Sequence, residues 1–370
     1  MHIFIGSTPN TTEKDIELAK GILNGKVLTD DARENLEKYF QNIWTKEDIF
    51  LFNRGREAMY FLFQNLNLQE GDQVVLQPFT CLATLQPILW SGCRPVFVDI
   101  KEDTLNMDLE KLKKSISLKT RVVLIQHTFG NMVNMQEVRN IIDDINNNRQ
   151  AEQKIFILED CAHLFSTDNE SIGKFSDAFF FSFAQDKAIS CTQGALLVVK
   201  NRDFFKKVLK EEYQNIKELP MKEALYNARY ILLWEKIKRL YYTLDIPFLR
   251  FSLGKFLILL YRFLGLIKKQ TEGRGEDIRK LSNIQAKLLL RQLEDFEIFN
   301  THRKDITNIY NSKLSEKMRY KGANHNTCLL RYPILSSQRG LFKNSLRENR
   351  VISGNWYNSP IFPLAWNELS

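Results

Sequence analysis

The sequence of 370 residues predicts an α/β fold with a mainly parallel sheet flanked by helices. Between about residues 50 and 200, short runs rich in β-branched and aromatic residues alternate with stretches of helical pattern. The apolar runs are nearly continuous, which is typical of strands buried on both faces of a sheet. Strands are predicted at 73–78, 95–100, 121–128, 154–162, 177–183 and 194–200, and helices at 56–67, 81–91, 108–116 and 135–145.

The composition is that of a globular protein from a reducing compartment. Apolar residues make up 44% of the chain and charged residues 26%, which allows a sizeable core. The five cysteines are odd in number and show neither disulfide nor zinc spacing. The start of the chain has no signal-peptide pattern, so a cytoplasmic location is predicted. The net charge is +8, but no nucleic-acid motif accompanies it, so no nucleic-acid partner is expected.

Residues 205–275 are predicted to form a basic, apolar helical insertion. Residues 201–275 carry an excess of eight positive charges, equal to the excess of the whole chain. The stretch 240–269 is rich in Phe, Leu and Tyr, but charged residues such as Arg262 interrupt it before about 20 apolar residues accumulate, which argues against a transmembrane helix. Two interpretations stay open: packing on the core or on a partner subunit, and peripheral contact with an anionic membrane.

The remaining segments define the predicted domain plan. Residues 1–204 would form a large domain with an N-terminal arm, and residues 276–370 a small C-terminal domain. The apolar spacing from residue 278 onward predicts one or two amphipathic helices, and the run CLLRYPIL at 328–335 predicts a strand.

A possible anion site lies at Arg54-Gly55-Arg56, where a turn becomes a helix. Glycine permits close backbone approach, and the free N–H groups of a first helical turn favour an anion. Arg56 would add positive charge. The alternative is a plain helix start with exposed arginines.

A carboxylate and an imidazole follow the strand of ILEDCAH, residues 157–163. Asp160 ends this strand, where an ionised carboxylate needs a cationic or hydrogen-bonding partner. Glu159 would point to the opposite face because side chains alternate along a strand. His163 follows three residues later. The alternatives are a strand-end cap for Asp160 and a structural role for His163.

The third group is FFFSFAQDKAIS at 179–190, where Ser182 closes a strand and Lys187 follows. Lys187 lies 27 residues after Asp160, which leaves room for one strand–loop–strand step, so both would emerge at the same sheet edge. Alone, the stretch is compatible with a surface turn and a solvated lysine. Together, the three groups indicate pyridoxal phosphate: helix N-terminus and serine for phosphate, aspartate for the protonated pyridine nitrogen, and lysine for a Schiff base.

These residues resemble the sugar aminotransferases of the DegT/DnrJ/StrS type, within the fold type I, aspartate aminotransferase-like superfamily. The resemblance rests on GDQVVLQPFTCLATLQPILWSGCRPVFVDI, QHTFGNMVNM, ILEDCAH, FSDAFFFSFAQDK and LSNIQAKLLLRQLEDF. It implies a large domain with a mainly parallel sheet and a smaller α/β C-terminal domain.

The resemblance also implies roles for individual residues. Lys187 would be the Schiff-base lysine, Asp160 would pair with the pyridinium nitrogen, and His163 would lie beside the cofactor ring. Ser182 would bind phosphate together with the Gly55-Arg56 turn.

Three positions depart from the family pattern. Cys81 stands where the family commonly places an aromatic residue over the cofactor ring, so ring coverage must differ. Ile278 aligns with an Asn that often reaches the phosphate of the neighbouring subunit. The family usually continues past the position of NWYNSPIFPL at 355–364, so a shortened C-terminal domain is expected.

The implied activity is transfer of an amino group, from glutamate, to a nucleotide-linked keto-sugar in the biosynthesis of cell-surface polysaccharide or a related glycan. A homodimer with the site at its interface is implied as well. One rival is a sugar dehydratase of the same family, in which histidine replaces the lysine; Lys187 argues against it. Another is a catalytically degenerate or membrane-recruited binding protein on this fold, which Cys81 and the shortened C-terminus favour. For the enzyme, the expected location is the cytoplasm, with peripheral contact at the inner face of the membrane through 240–269.

Overall fold

The computed structural model describes residues 10–27, 29–205, 207–246, 251–267, 277–323, 327–349, 351–354, 357 and 359–364. The strands are β1 Asp48–Phe52, β2 Gln73–Leu76, β3 Arg94–Phe97, β4 Thr120–Gln126, β5 Phe156–Asp160, β6 Ala178–Ser182, β7 Ala195–Val199, β8 Asp245–Ile246 and β9 Phe251–Ser252. The α-helices are α1 Glu13–Leu23, α2 Ala32–Ile43, α3 Gly55–Asn65, α4 Leu82–Trp90, α5 Leu109–Ser115, α6 Met135–Asn146, α7 Leu209–Gln214, α8 Met221–Leu240, α9 Leu253–Phe263, α10 Asn283–Glu294, α11 Phe296–Lys313 and α12 Arg339–Glu348.

The central sheet has seven strands in the order β1-β7-β6-β5-β4-β2-β3. Every strand runs in the same direction except β7, which is antiparallel to both β1 and β6. All of the strands predicted between residues 73 and 200 are confirmed, as are the helices predicted between them. The α/β prediction is therefore correct, and β1 is an additional strand at the edge of the sheet.

Strand β6 shows how the sequence places side chains on the two faces of the sheet. Phe179 and Phe181 lie in the core cluster that also contains residues of α1, α2 and α10, whereas Phe180 packs with α3 on the other face. Each fully buried aromatic side chain contributes about 1.5–3 kcal/mol through removal of apolar surface from water. Because side chains alternate, Ser182 lies on the same face as Phe180, which is the face of α3.

The predicted strand at 328–335 is wrong. This segment has no strand pairing; the Leu330 N–H instead donates to the Phe129 carbonyl at 2.8 Å, and Leu329 packs with Phe129. The segment approaches closely because Gly130, at φ +93°, has no side chain: a Cβ there would lie 2.7 Å from the Cys328 carbonyl oxygen. The apolar pattern therefore reflects packing on the loop after β4.

The helices predicted from residue 278 onward are confirmed as α10 and α11. Helix α10 buries Leu288 and Leu289 in the same core cluster as α1 and α2, so it is anchored on the large domain. In the described part of 276–370 the regular structure is helical. The domain boundaries at 204/205 and 275/276 stay predictions.

The insertion contains α7, α8, the β8–β9 hairpin and α9. One face of α9 packs on α8 through Tyr261, which contacts the cluster formed by Tyr230 and Trp234. The opposite face exposes Phe256, Leu259 and other apolar side chains to solvent. Arg250, Lys268 and Lys269, which the sequence places in the same stretch, lie outside the described residues. Among the helices that are described, none has the length and apolar character needed to cross a membrane.

Candidate active site

A single cavity lies at the carboxyl ends of the parallel strands β4, β5 and β6, beside the beginning of α3. This edge of an open α/β sheet is where such folds bind ligands. The cavity is lined by every residue that the sequence singled out as a candidate: Gly55, Arg56, Cys81, Asp160, His163, Ser182 and Lys187. Residues more than 130 positions apart in the sequence therefore meet at one place.

One end of the cavity is suited to an anion. Helix α3 begins at Gly55 after an extended Arg54, and a Cβ built on Gly55 would lie 3.7 Å from the Ser182 hydroxyl oxygen. The first turn of α3, whose N-terminal end favours an anion, and this hydroxyl therefore lie together. Arg56 is nearly buried and donates to Gln86 Oε1 at 2.7 Å. Burial lowers the pKa of its guanidinium, and the charge of Arg54 adds to this lowering, so a bound anion would stabilise both cations.

Asp160 lies elsewhere in the same cavity, at the last position of β5, and is 2% exposed. Among the described residues, the Ala162 N–H donates to its Oδ1 at 2.9 Å. Burial raises the pKa of this carboxyl, while the Ala162 bond and the positive charge of Lys187 oppose the rise. A buried carboxyl that faces a cavity in this way is suited to a cationic N–H donor.

The neighbouring Glu159 points to the opposite face, as the strand alternation predicts. It accepts from His127 Nε2 at 2.8 Å, from the Ser176 hydroxyl at 2.8 Å and from the Gly173 N–H at 3.0 Å. Cys161 lies close to this pair, so the three groups have the residue types of a metal site. However, His127 Nδ1 already accepts from the Val133 N–H at 3.1 Å. Both ring nitrogens are therefore used within the protein, and the cluster is a structural hydrogen-bond network.

His163 is held as a neutral imidazole. Its Nδ1 accepts from the Phe129 N–H at 3.1 Å, and its ring stacks on that of Phe129 with centroids 5.7 Å apart. Burial, together with the charges of Lys187 and Arg331, lowers its pKa well below the ordinary value. The neutral ring therefore carries its proton on Nε2, which lies 3.4 Å from the Tyr357 hydroxyl.

Lys187 lies in the loop that joins β6 to β7, where its N–H donates to the Ala184 carbonyl at 3.2 Å. The antiparallel β7 returns from this loop along β6, which keeps the lysine at the carboxyl end of β6. The position of Lys187 next to the cavity is also evident electrostatically, because its charge acts on both Asp160 and His163. Asp160 and Lys187 thus flank one cavity, as predicted.

Cys81 lines the cavity at the beginning of α4, and burial raises the pKa of its thiol. Next to it runs the segment 359–364: the Phe362 N–H donates to the Thr80 carbonyl at 2.9 Å, and the Leu82 N–H donates to the Phe362 carbonyl at 2.7 Å. Tyr357 and Phe362 therefore line the cavity near Cys81. Cys81 has no aromatic ring that could lie against a bound ligand, whereas Tyr357 and Phe362 bring aromatic rings to this side of the cavity.

Several lining residues were not predicted from the sequence. Gln126 pairs in register with Asp160 at the end of the adjacent strand β4, so the strand-end rule that selected Asp160 could have found it as well. Tyr357 and Phe362 carried no such signal, because their place depends on the path of the C-terminal segment. Ile278 packs on the core of its own chain, beside the beginning of α3.

The polar groups of the cavity fit pyridoxal 5′-phosphate. The helix N-terminus and Ser182 suit a phosphate, the buried carboxyl of Asp160 suits a protonated ring nitrogen, and Lys187 provides an amine for the aldehyde.

The chain belongs to the DegT/DnrJ/EryC1/StrS aminotransferase family, whose pattern matches residues 9–229 and 258–365. A GDP-perosamine synthase from Vibrio cholerae is 28% identical over 166 residues, which cover 44% of this chain and 43% of that protein. The chain spans about half the length of the curated relatives it matches.

Solved structures show the same fold over nearly the whole chain. PseC of Helicobacter pylori, an aminotransferase involved in the biosynthesis of pseudoaminic acid, is 21% identical, with a TM-score of 0.68 over 99% of this chain and 88% of its own. NtdA of Bacillus subtilis, solved with the bound cofactor PMP, is 18% identical, with a TM-score of 0.63 over 96% of this chain and 73% of its own. At these identities the likeness establishes the fold.

Proposed function

We propose that the protein is a pyridoxal phosphate-dependent aminotransferase that transfers an amino group to a keto-sugar. The observation that carries this proposal is the meeting of an amine, a buried carboxyl and a helix N-terminus with a serine hydroxyl in one cavity. Each group alone has a structural explanation. Their combination matches the aldehyde, ring nitrogen and phosphate of one cofactor.

In this proposal the cofactor, when bound, supplies an electron-accepting ring that allows a proton to leave the donor's α-carbon. Lys187 would hold the aldehyde covalently and would serve as the base that moves the proton at that carbon. Asp160 would keep a proton on the ring nitrogen. His163 would lie near the ring as a neutral group, and Ser182 would bind the phosphate with the Gly55-Arg56 turn.

For the substrates we propose a nucleotide-linked keto-sugar and glutamate as donor, within the biosynthesis of a surface polysaccharide or related glycan. The family membership supports a sugar, and the Vibrio relative, named for a GDP-linked product, supports the nucleotide. We also propose a cytoplasmic homodimer, which rests on the family resemblance. Lys187, in place of the histidine expected in a dehydratase, supports amino transfer over the dehydratase alternative.

A screen of keto-sugar nucleotides with glutamate tests the proposal. We expect the cofactor-loaded protein to show a visible absorption band that glutamate bleaches and that one of the keto-sugar nucleotides restores. A loaded protein whose band does not respond to any amino donor would instead support a binding protein on this fold.

We further propose that α9 rests on the surface of an anionic membrane. Its outward face presents Phe256, Leu259 and Phe263 at helical spacing, with exposed fractions of 47%, 65% and 89%. Lys255 and Arg262 flank this face, and α9 contains no acidic residue. Apolar side chains could enter the headgroup boundary while the two cations contact anionic lipid, each contributing about 1 kcal/mol.

A further inference from the structure

Two arginines of the C-terminal third of the chain donate hydrogen bonds to the loop that carries Lys187. Arg303 of α11 donates from Nη2 to the Ala188 carbonyl at 2.5 Å, and Arg331 donates from Nη2 to the Asp186 carbonyl at 3.3 Å. The accepting carbonyls belong to the residues immediately before and after Lys187. The two guanidinium groups therefore bind the peptide unit that precedes Lys187 and the peptide unit that follows Ala188.

Both arginines are themselves anchored. Arg303 Nη1 lies 3.3 Å from Asn300 Oδ1 on the same helix, and Arg331 Nη1 donates to the Leu330 carbonyl at 3.0 Å. The Leu330 N–H in turn donates a hydrogen bond to the Phe129 carbonyl, where the segment around residues 328–330 lies close to Gly130. A guanidinium group is planar and holds several N–H donors in fixed directions, so it can bind its anchor and the loop at the same time. A lysine side chain at the same position would hold the loop less rigidly because it is flexible.

The arrangement is electrostatically unusual, because burial lowers the pKa of both guanidinium groups and the charge of Arg331 lowers that of Arg303 further. Two neighbouring cations packed against backbone carbonyls are costly to bury. Their placement on the two sides of Lys187 points to a role in holding that residue.

We propose that Arg303 and Arg331 are positioning residues for Lys187. The inference rests on the proposed function of Lys187 as the residue that holds the cofactor and moves the proton. Hydrogen bonds to carbonyls 186 and 188 restrain the backbone on both sides of Lys187 and so limit its movement relative to Asp160 across the cavity. Misplacement of a catalytic group by about 1 Å can cost about 10²-fold in rate.

The test compares Arg303→Met, Arg303→Lys and a control, Arg291→Met. Arg291 is a buried arginine of the neighbouring helix α10 that pairs with Glu294 and Asp295 near its own helix end. The first readout is amide hydrogen exchange of residues 184–190 in the cofactor-free protein. The second is kcat and KM for the amino donor in the loaded enzyme.

We expect Arg303→Met to raise exchange in 184–190 at least about tenfold and to lower kcat about 10²-fold with little change in KM. Arg303→Lys restores one donor and should recover part of both effects. Arg291→Met should leave both at wild-type values.

Wild-type exchange and kcat in Arg303→Met would overturn the proposal, as would an equal effect in Arg291→Met. If Arg303→Met does not fold, the test uses Arg303→Lys and Arg331→Lys instead. Wild-type kcat and wild-type loop exchange in both variants would overturn the proposal. A lower kcat together with raised loop exchange would support it. Failure of the aminotransferase proposal is distinguishable, because the wild-type protein would then lack turnover while the exchange comparison still holds.

Discussion

The cavity and the outer face of α9 are opposite exceptions to the usual distribution of side chains. In the cavity, charged groups are buried, and Asp160 is 2% exposed; on α9, apolar groups are exposed, and Phe263 is 89% exposed. Each arrangement costs stability in the free protein and indicates something that binds there. The buried charged groups differ in chemistry and position, so together they indicate the chemical groups that a ligand would need. The apolar face of α9 indicates only that its partner would also be apolar.

The largest effect is expected at Lys187. Replacement by Ala removes the amine proposed to hold the cofactor and to move the proton, so turnover should fall by at least about 10³-fold and the visible band of the lysine-bound cofactor should disappear. Absorbance and steady-state kinetics measure both. Lys174→Ala is the matched control, because this exposed lysine forms a surface ion pair with Glu170 outside the cavity. Wild-type turnover in Lys187→Ala would refute the assignment.

A smaller loss is expected at Asp160. Asp160→Asn keeps the shape but removes the charge that holds a proton on the ring nitrogen, which should cost about 3–5 kcal/mol of transition-state stabilisation, or about 10²–10⁴-fold in kcat. Steady-state kinetics measure this loss, with the exposed Asp143→Asn of α6 as control. A kcat within a factor of two of wild type would show that the cavity does not use this carboxyl.

Glu57 is a buried carboxyl beside the candidate anion site, and its ionisation should lower the free energy of unfolding. Burial raises its pKa from 4.5 to about 7, although Arg54 and the Arg279 N–H oppose the rise. The folded state therefore holds the proton more tightly than the unfolded state, and the stabilisation present below pH 4.5 is lost as pH rises through about 7. The loss amounts to about 3 kcal/mol.

Urea unfolding of the cofactor-free protein at pH 5 and pH 8 measures this effect. Glu57→Gln should lose less stability than wild type between the two pH values, since its side chain stays neutral. The exposed Glu170→Gln should follow the wild type. Parallel pH dependence in Glu57→Gln and wild type would contradict the assignment.

The smallest effect is expected on α9. Binding to vesicles of anionic lipid at low salt should weaken about fivefold for each of Lys255→Gln and Arg262→Gln, as expected for about 1 kcal/mol per cation. Flotation should lose most of the binding in Phe256→Ser/Phe263→Ser. Leu118→Ser is the control, since Leu118 is 81% exposed and belongs to the connection between α5 and β4.

A second copy of the chain is the other occupant that this experiment detects. If the α9 variants change the molar mass in solution and the wild-type protein does not float with vesicles, the face is an interface between subunits and the membrane proposal is wrong.

The residues of the cavity that the sequence predicted share one property: they lie at or just after strand ends. Asp160, Ser182 and Lys187 could be placed at one sheet edge because parallel strands align their carboxyl ends. The alternation of Glu159 and Asp160 followed from strand geometry alone. These are local rules, which require no knowledge of the path of the distant chain.

The features that were missed depend on contacts between distant parts of the chain. Arg303, Arg331 and Tyr357 reach the cavity region through tertiary packing, and no local pattern marks them. The wrong strand at 328–335 has the same origin: Leu329 is buried against Phe129, which produces an apolar pattern without strand pairing. The face of α9 was visible in the sequence only as composition, because its periodicity becomes interpretable once α8 is known to cover the other side.

The proposed function requires that one lysine, Lys187, holds pyridoxal phosphate in this cavity. Borohydride reduction of the cofactor-loaded protein, followed by proteolysis and peptide mass mapping, tests it directly. We expect a reduced pyridoxyl group on the peptide that contains Lys187, in a stoichiometry near one per chain. A label on a different lysine, or one spread over the surface lysines with Lys187 unmodified, would contradict it.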